Sequence, residues 1–246
     1  MSRQFKKQCI NNFRVLGIIP ARGGSKSIIN KNIANLGDKP LIAHTIEAAS
    51  ASMLLDQFIV STDSEEIASI SRNLGATVPF IRPSHLATDM ADSYGVVIHA
   101  MQFIEKQAQV RFDAVMLLQP TTPFRPLGLI DQAIEYLAKE NFDSIVSVVN
   151  VGAIHPYRMY TLDENKELLP FCQDDINPMM PRQLLPPIFI RSGDIYVTRR
   201  NCLLDQKSLI GKHSGAIILD PKNTLNIDEP IDLEIARLKL KNNDAF

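Results

Sequence analysis

The segment at residues 22–32 gathers the residue types that bind phosphate. It contains Arg22, Gly23, Gly24, Lys26 and Lys31. Glycines let backbone N–H groups come close to an anion, a guanidinium matches two phosphate oxygens, and lysines add point charges. The segment directly follows the apolar run "VLGIIPA" at residues 15–21, which is typical of a strand buried on both faces. This combination predicts a triphosphate-binding loop at the carboxyl end of a strand. The alternative interpretation is a surface turn with scattered lysines.

Two common phosphate-binding motifs are absent from the sequence. It contains neither GxxxxGK[ST] nor GxGxxG, which argues against a Walker-type NTPase and against an NAD-type dinucleotide fold. The loop therefore indicates a different class of nucleotide-binding protein.

The composition narrows the remaining classes. The chain has 246 residues, 45% of them hydrophobic, and a formal net charge of -1. This is enough for one large domain, and we expect no general attraction to nucleic acid or to an acidic membrane. The three cysteines, Cys9, Cys172 and Cys202, form no CxxC pair, which favours reduced thiols in a cytoplasmic protein. We expect neither a signal peptide nor a membrane span.

Apolar runs alternate with helical patterns in the first 150 residues. Strands are predicted at 15–21, 57–62, 78–82, 113–119 and 143–151, and helices at 39–52, 64–75, 92–107 and 126–140. Asp63 or Ser64 is placed to cap the second helix. This alternation predicts βαβ units, and thus an α/β, Rossmann-like, mostly parallel sheet flanked by helices.

The pattern changes after about residue 152. A hairpin is predicted at 159–171, and an irregular segment with four prolines follows at 172–187. Strands are then predicted at 188–200 and 215–220, with a closing helix at 230–242. The irregular segment is rich in Met, Leu and Pro, which favours a subunit interface over a loop packed on its own core. We therefore predict a homodimer.

Several stretches together resemble one enzyme family. They are "IIPARGGSKSIINKNIANLGDKPLIAHTIEAA", "FIVSTDSEEIASISRNLGATVPFIRPSHLATDMADS", "VMLLQPTTPFR" and "NIDEPIDLEIA". The chain, over residues 15–238, is similar to the acylneuraminate cytidylyltransferases, which include the CMP-sialic acid synthetases and bacterial relatives that act on other nine-carbon keto acids. The resemblance implies a fold of the nucleotide-diphospho-sugar transferase type. It also implies a single domain over 1–246, with residues 153–190 inserted for dimerisation and for the sugar site.

The resemblance also implies a reaction. The anomeric hydroxyl of a nonulosonic acid attacks the α-phosphorus of CTP, and pyrophosphate leaves with the help of Mg²⁺ or Mn²⁺. The product, a CMP-sugar, serves the synthesis of surface glycans. Alternatives are another sugar acid such as KDO, another nucleotide, or a nucleotide-sugar-binding protein without catalysis.

Site residues follow from the matching motif positions. Arg22 and Lys31 are the implied catalytic residues. The implied nucleotide contacts are Ala21, Gly23, Gly24, Ser25, Lys26, Asn32, Arg82, Ala91 and Ser93. The implied sugar contacts are Gln119, Arg182, Gln183, Ser192, Asp194 and Tyr196. Asp228 and Asn226 are the implied metal site, with Asp228 as a helix cap being the alternative.

The chain departs from the family pattern in three places. Ser27 and Ile29 replace a glycine and a proline in the loop. Asn226 replaces an aspartate, so its contact with the metal is direct, through water, or absent. Ser192 and Asp194 replace Asn and Ala near the sugar, which favours a legionaminic-type acid over sialic acid. The group that accepts the proton of the attacking hydroxyl is not identified by the sequence.

Overall fold

The computed structural model describes residues 4, 7, 8, 10–172, 177 and 179–242. The strands are β1 (Val15–Pro20), β2 (Gln57–Ser61), β3 (Ala114–Leu117), β4 (Ser144–Asn150), β5 (Tyr160–Leu162), β6 (Leu168–Pro170), β7 (Phe189–Arg199) and β8 (Ser214–Leu219). The helices are α1 (Leu41–Ala51), α2 (Glu65–Asn73), α3 (Ser93–Ala108), α4 (Leu129–Lys139) and α5 (Pro230–Lys241). Short 3₁₀ turns lie at Lys31–Ile33, Ser84–Leu86, Pro156–Arg158, Arg182–Leu184 and Pro221–Asn223, and a π-helical turn at Cys202–Gln206. A two-residue ladder joins Asn35–Leu36 to Lys39–Pro40.

Six strands form one sheet in the order β8-β4-β7-β3-β1-β2. β1 is parallel to both β2 and β3, and β8 is parallel to β4. β7 runs antiparallel between β3 and β4. The predicted α/β class with a mostly parallel sheet is therefore confirmed. Because β1, β2 and β3 run in the same direction, the loops after them meet at one edge of the sheet.

The central strand β1 is buried on both faces, as its unbroken apolar sequence predicts. Val15 and Ile19 belong to the core that packs against α1, α2 and α4. Leu16 and Ile18 face the second core, which contains the apolar side of α3. A third, smaller cluster attaches α5 to the sheet. The end of β1 is thus fixed from both sides, which gives the following loop a rigid base.

The predicted strand at 78–82 is wrong. Thr77 and Ile81 make only isolated bridges to Ile59 and Thr62. Pro79 lies between them and has no N–H to donate to a ladder, which explains why regular pairing fails. The segment nevertheless runs alongside β2, and the backbone N–H of Arg82 donates to Thr62 O at 2.7 Å.

The predicted hairpin is confirmed as β5 and β6. Leu162 pairs with Leu168 in its register. Asp163 closes the turn by accepting hydrogen bonds from the N–H groups of Asn165 and Glu167, both at 2.8 Å. Part of the irregular segment that follows, at 173–176 and 178, lies outside the described residues. The extent of the insertion at 153–190 stays a prediction.

Among the residues with described coordinates, no helix is both long and apolar enough to cross a bilayer.

Gly17 in β1 provides a test of the tight packing between β1 and β2. A Cβ at this position would lie 2.9 Å from Phe58 Cβ and 3.3 Å from Leu55 Cδ1. We expect Gly17→Ala to lower the free energy of unfolding by about 1–3 kcal/mol, the usual cost of overpacking. Gly24→Ala is the control, because no heavy atom of the described residues, apart from its chain neighbours, lies within 4 Å of its Cβ. Equal unfolding midpoints of the two variants in urea would contradict this packing.

Candidate active site

A cavity of about 280 Å³ opens at the edge of the sheet where β1, β2 and β3 end. Its walls come from the loop after β1, from residues 82–96, and from the loop after β3. Eight of the predicted site residues line it: Arg22, Ser25, Lys31, Asn32, Arg82, Ala91, Ser93 and Gln119. The structure therefore brings together residues that are as far as 97 positions apart in the chain.

The loop after β1 is folded back on itself by Asn32. The Asn32 side chain is buried, and its Nδ2 donates to Arg22 O at 2.9 Å. Asn30 has φ 52°, in the left-handed region that asparagine tolerates better than most residues. At the start of the loop, Ala21 is buried and its N–H donates to Ser61 O at 2.9 Å. Asn32 thus supports the loop through its side chain while also lining the cavity.

Asp63 connects the loop to the second wall of the cavity. Its Oδ1 accepts a hydrogen bond from Gly23 N at 3.0 Å and lies 3.7 Å from Arg82 Nη2. The helix cap that the sequence assigned to either Asp63 or Ser64 is Ser64, whose Oγ accepts from Ile67 N. Asp63 is therefore available to hold the glycine loop and to offset the charge of Arg82.

Arg82 is a buried cation with unused donors. Its side chain is 4% exposed, and its Nε and Nη2 have no hydrogen-bond partner within the described part of the chain. Burial lowers the pKa of the Arg82 guanidinium, and the nearby Asp63 carboxylate opposes that shift. An arginine remains charged under such conditions, so these donors favour an anionic or carbonyl ligand in the cavity.

Asp89 bridges two cations at the mouth of the cavity. Its Oδ1 accepts from Arg22 Nη1 at 2.7 Å, and its Oδ2 lies 2.5 Å from Lys26 Nζ. Hydrogen bonds from Lys26 and Arg22 hold the pKa of the Asp89 carboxyl below its usual range.

Asp228 lies beside the cavity, next to Lys31. Lys31 Nζ donates to Ile227 O at 3.0 Å and to Asp228 Oδ1 at 3.4 Å. Ser27 Oγ donates to Asp228 O at 2.5 Å. The alternative role for Asp228, capping α5, is filled by Glu229, which forms a capping box with Asp232.

The residues around Asp228 fit a magnesium site that substrate phosphates complete. Asn226 Nδ2 donates to Asp228 Oδ2, so the two side chains are neighbours and the amide turns its N–H group toward the carboxylate. In the described ranges, no group of three or more His, Cys, Asp or Glu side chains is arranged to hold a metal by itself. Mg²⁺ commonly binds one or two carboxylates together with water and substrate phosphates. Asp228 and Asn226 would hold the ion on the protein side.

The predicted sugar residues are not all brought to the cavity. Gln119 lines the cavity. Gly193 packs against Gln119, since a Cβ on Gly193 would lie 3.1 Å from Gln119 Oε1. Arg182 and Gln183 lie on an exposed 3₁₀ turn outside the cavity lining. Tyr196 packs against the α3 core, where burial raises its pKa.

Ser192 and Asp194 are buried within the sheet. Ser192 Oγ donates to Ser147 Oγ at 2.7 Å. Asp194 is 0% exposed, and both of its carboxylate oxygens lack a hydrogen-bond partner among the described residues. The resemblance implied a charge at Asp194 close to the sugar, whereas the structure buries this carboxylate outside the cavity lining.

Arg125 explains how a carboxylate is tolerated there. This buried arginine donates from Nε to Asp194 O at 2.8 Å and from Nη2 to Gln119 O and Thr122 Oγ1 at 3.1 and 3.0 Å. Burial lowers the pKa of Arg125 to about 10, so it remains a cation at neutral pH. Burial also raises the pKa of Asp194, and the Arg125 charge opposes that rise. Arg125 therefore fixes the main-chain carbonyls of Gln119 and Asp194.

Comparison with known proteins identifies the family. The family model described as Cytidylyltransferase matches residues 16–204, more than half of the chain. The chain belongs to the cytidylyltransferase family. The CMP-N,N'-diacetyllegionaminic acid synthase of Legionella pneumophila is 37% identical to this cytidylyltransferase over 221 residues, which cover 89% of this chain and 93% of that protein. The predicted family is thus confirmed.

Two further relatives extend the comparison. The N-acylneuraminate cytidylyltransferase of Escherichia coli is 34% identical over 224 residues, covering 91% of this cytidylyltransferase and 51% of the relative. A solved structure of CMP:2-keto-3-deoxy-manno-octonic acid synthetase complexed with CTP superposes with a TM-score of 0.68 at 16% identity, covering 94% of this chain and 99% of that one. At that identity the likeness shows the fold alone, and it confirms the predicted nucleotidyltransferase architecture.

Three residues with clear structural roles in this cytidylyltransferase were not assigned from the sequence. Asp63 was left open between a cap and a functional role, and Asp89 and Arg125 were not singled out. Asp63 and Asp89 carry a sequence signal because each lies in a loop that leads toward the cavity. Arg125 follows "PTTPF", where a cation among proline and apolar residues indicates burial.

Asp194 gives the protein a testable pH dependence of stability. Its pKa is raised in the folded state, so the protonated form is stabilising below the usual carboxyl pKa, and that stability is lost as the pH rises through the raised pKa. Asp194→Asn does not titrate. We expect the wild type to lose stability relative to this variant as the pH rises above the usual carboxyl pKa, by up to about 1.4 kcal/mol for each pH unit over which Asp194 titrates.

Urea unfolding at each pH measures this difference. Asp38→Asn, at an exposed turn, is the matched control and keeps the pH profile of the wild type. Parallel profiles for the wild type and Asp194→Asn would mean that Asp194 does not titrate in this way.

Proposed function

We propose that this cytidylyltransferase transfers the cytidylyl group of CTP to the anomeric hydroxyl of a nine-carbon nonulosonic acid. The observation that carries the proposal is the cationic cavity at the end of β1, in a chain whose relatives from Legionella and Escherichia coli are named for legionaminic and acylneuraminic acids. The product, a CMP-sugar, would supply an activated unit for surface glycans.

The proposed reaction is an in-line substitution at the α-phosphorus. The hydroxyl oxygen of the sugar forms a bond to this phosphorus, the bond to the bridging oxygen of the β-phosphate breaks, and pyrophosphate leaves. Such transfers depend on positioning and on neutralising charge. Arg22 and Lys31, both in the cavity lining, are suited to neutralise the charge that develops on the phosphates.

The positions proposed for the nucleotide and for the sugar acid follow from the residues in each wall of the cavity. Arg82, Ala91 and Ser93 form the wall proposed for the cytidine, with Ser25 and Asn32 toward the phosphates. Gln119 forms the wall proposed for the sugar acid. Arg182 and Gln183 are exposed outside the cavity. They contact the sugar acid only if the 182–184 turn moves toward the cavity of its own subunit, or if the turn reaches the cavity of a second subunit.

Asp228 and Asn226 are proposed to hold Mg²⁺, or Mn²⁺, against the phosphates of CTP. The bound ion would offset the charge of the leaving pyrophosphate. Lys31 already contacts Asp228 Oδ1, so the protein keeps the carboxylate close to the phosphate loop.

For the sugar we propose a legionaminic-type acid. The burial of Asp194 removes the argument that its charge directly selects the sugar. Support comes instead from the Legionella relative, which aligns over 93% of its own length.

The reaction can be tested by measuring pyrophosphate release from each of four NTPs, with Mg²⁺ and a panel of keto-acid sugars. We expect release with CTP and nonulosonic acids, and a fall of at least about 100-fold in kcat for Lys31→Ala, because charge neutralisation in the transition state is lost. Lys212→Ala, before β8 at the opposite edge of the sheet, is the control and keeps wild-type turnover. CTP binding without any pyrophosphate release would instead indicate a non-catalytic protein.

We also propose a homodimer that forms through the hairpin β5–β6 and its surroundings, and a cytoplasmic location, where CTP and reduced thiols are both expected. Large apolar side chains are exposed on this hairpin: Leu162, Leu168, Leu169 and Phe171. A two-stranded hairpin with exposed apolar residues is unstable by itself and gains from a covering surface.

Leu168→Glu tests the dimer. Leu168 is 62% exposed and pairs with Leu162, so a carboxylate there would be buried without a partner in the interface. We expect a dimer for the wild type and a monomer for the variant in analytical ultracentrifugation at micromolar concentration. Ile218→Glu, at a 63% exposed residue of the edge strand β8, is the control and stays dimeric. A monomeric wild type would refute the proposal.

A further inference from the structure

One carboxylate holds two of the cations proposed to bind the triphosphate. Asp89 lies on the loop between the Ser84–Leu86 turn and α3, across the cavity mouth from the phosphate loop. Each of its oxygens serves one partner, Oδ1 for Arg22 and Oδ2 for Lys26. The contact therefore ties the two loops together over the cavity.

The geometry of this contact is that of an anion in a phosphate site. A guanidinium and an ammonium group converge on one pair of carboxylate oxygens, at 2.7 and 2.5 Å. Phosphate oxygens make the same charge-assisted contacts with arginine and lysine. A donor of Arg22 or Lys26 that points at Asp89 cannot at the same time point at a phosphate.

We propose that Asp89 is an internal anion that occupies the polyphosphate subsite of the free enzyme and competes both with CTP for entry and with pyrophosphate for the same cations. The inference rests on the proposed function, because that function supplies the polyphosphate. The triphosphate displaces the carboxylate since it brings more negative charge, and the displaced carboxylate then repels the pyrophosphate that remains after transfer.

The neighbouring cations Arg82 and Lys31 are not held by Asp89, so the proposed competition concerns only Arg22 and Lys26. Arg82 Nε and Nη2 have no hydrogen-bond partner in the described part of the chain, although Asp63 Oδ1 lies 3.7 Å from Nη2, so these donors can bind a ligand. Lys31 is directed to Ile227 O and Asp228. The two cations that Asp89 contacts, Arg22 and Lys26, lie at the mouth of the cavity, where the leaving group would depart.

The experiment measures the binding of CTP and of inorganic pyrophosphate by calorimetry, with EDTA present so that no metal takes part. Asp89→Asn keeps the size of the side chain and removes the charge. We expect it to bind both ligands about three- to tenfold more tightly, the scale expected when two exposed ion pairs no longer compete. Asp89→Glu keeps the charge and is expected to stay near the wild-type affinity.

Asp38→Asn removes one negative charge from a turn outside the cavity and is expected to change affinity by less than about twofold. Thermal unfolding verifies that each variant is folded, and Asp89→Ser replaces Asp89→Asn if that variant is not. Unchanged or weaker binding by the uncharged variant would overturn the inference, and weaker binding only when Mg²⁺ is added would identify Asp89 as a metal ligand instead.

The proposed function is decided separately by pyrophosphate release from the wild type. If the wild type forms product and the uncharged variant does not bind more tightly, the inference alone fails. If the wild type binds CTP but forms no product, the function fails, and the binding comparison still decides the role of Asp89.

Discussion

The cavity depends on keeping several cations close together when no anionic ligand is present. Four of them meet at the carboxyl edge of the sheet, and each has a carboxylate neighbour: Arg22 and Lys26 share Asp89, Lys31 contacts Asp228, and Arg82 faces Asp63. Unpaired cations at these distances would repel one another and destabilise the loops that carry them. The carboxylates therefore shape the site as much as the cations do.

These carboxylates differ in how firmly their other contacts hold them in place. Asp63 also accepts the Gly23 N–H, so it is part of the loop's own structure. Asp228 keeps its carboxylate beside Asn226 and its backbone carbonyl on Ser27, so it can accept a metal ion while its main chain stays fixed. The described contacts of the Asp89 carboxylate go only to side chains of the loop after β1, so this carboxylate is suited to be displaced by a ligand.

Sequence reasoning found the features that depend on local patterns. The apolar run of β1, the helical spacing of α1 to α5 and the glycine-rich loop are all readable within short windows, and the family resemblance supplied eight residues of the cavity lining. What it missed depends on long-range contacts. Lys31 and Asp228 are 197 positions apart, and the antiparallel entry of β7 between β3 and β4 is set by packing across the whole sheet.

Burial was the other property that residue types alone did not reveal. Asp194 was expected close to the sugar because its position in the family pattern implies a sugar contact. The nearby Arg125 is a buried cation whose charge opposes the rise that burial causes in the pKa of Asp194. Its bonds to Gln119 O and Asp194 O hold the main chain behind Gln119, although Arg125 itself does not line the cavity.

The unusual loop residue Ser27 also acquires a structural meaning. Where related sequences have glycine, its hydroxyl donates to the backbone carbonyl of Asp228. With the bond from Lys31 to Ile227 O, this joins the phosphate loop to the proposed metal segment at two points. A glycine at residue 27 would leave only the bonds from Lys31 to this segment. In this chain a neutral hydroxyl therefore shares the positioning of Asp228 with Lys31.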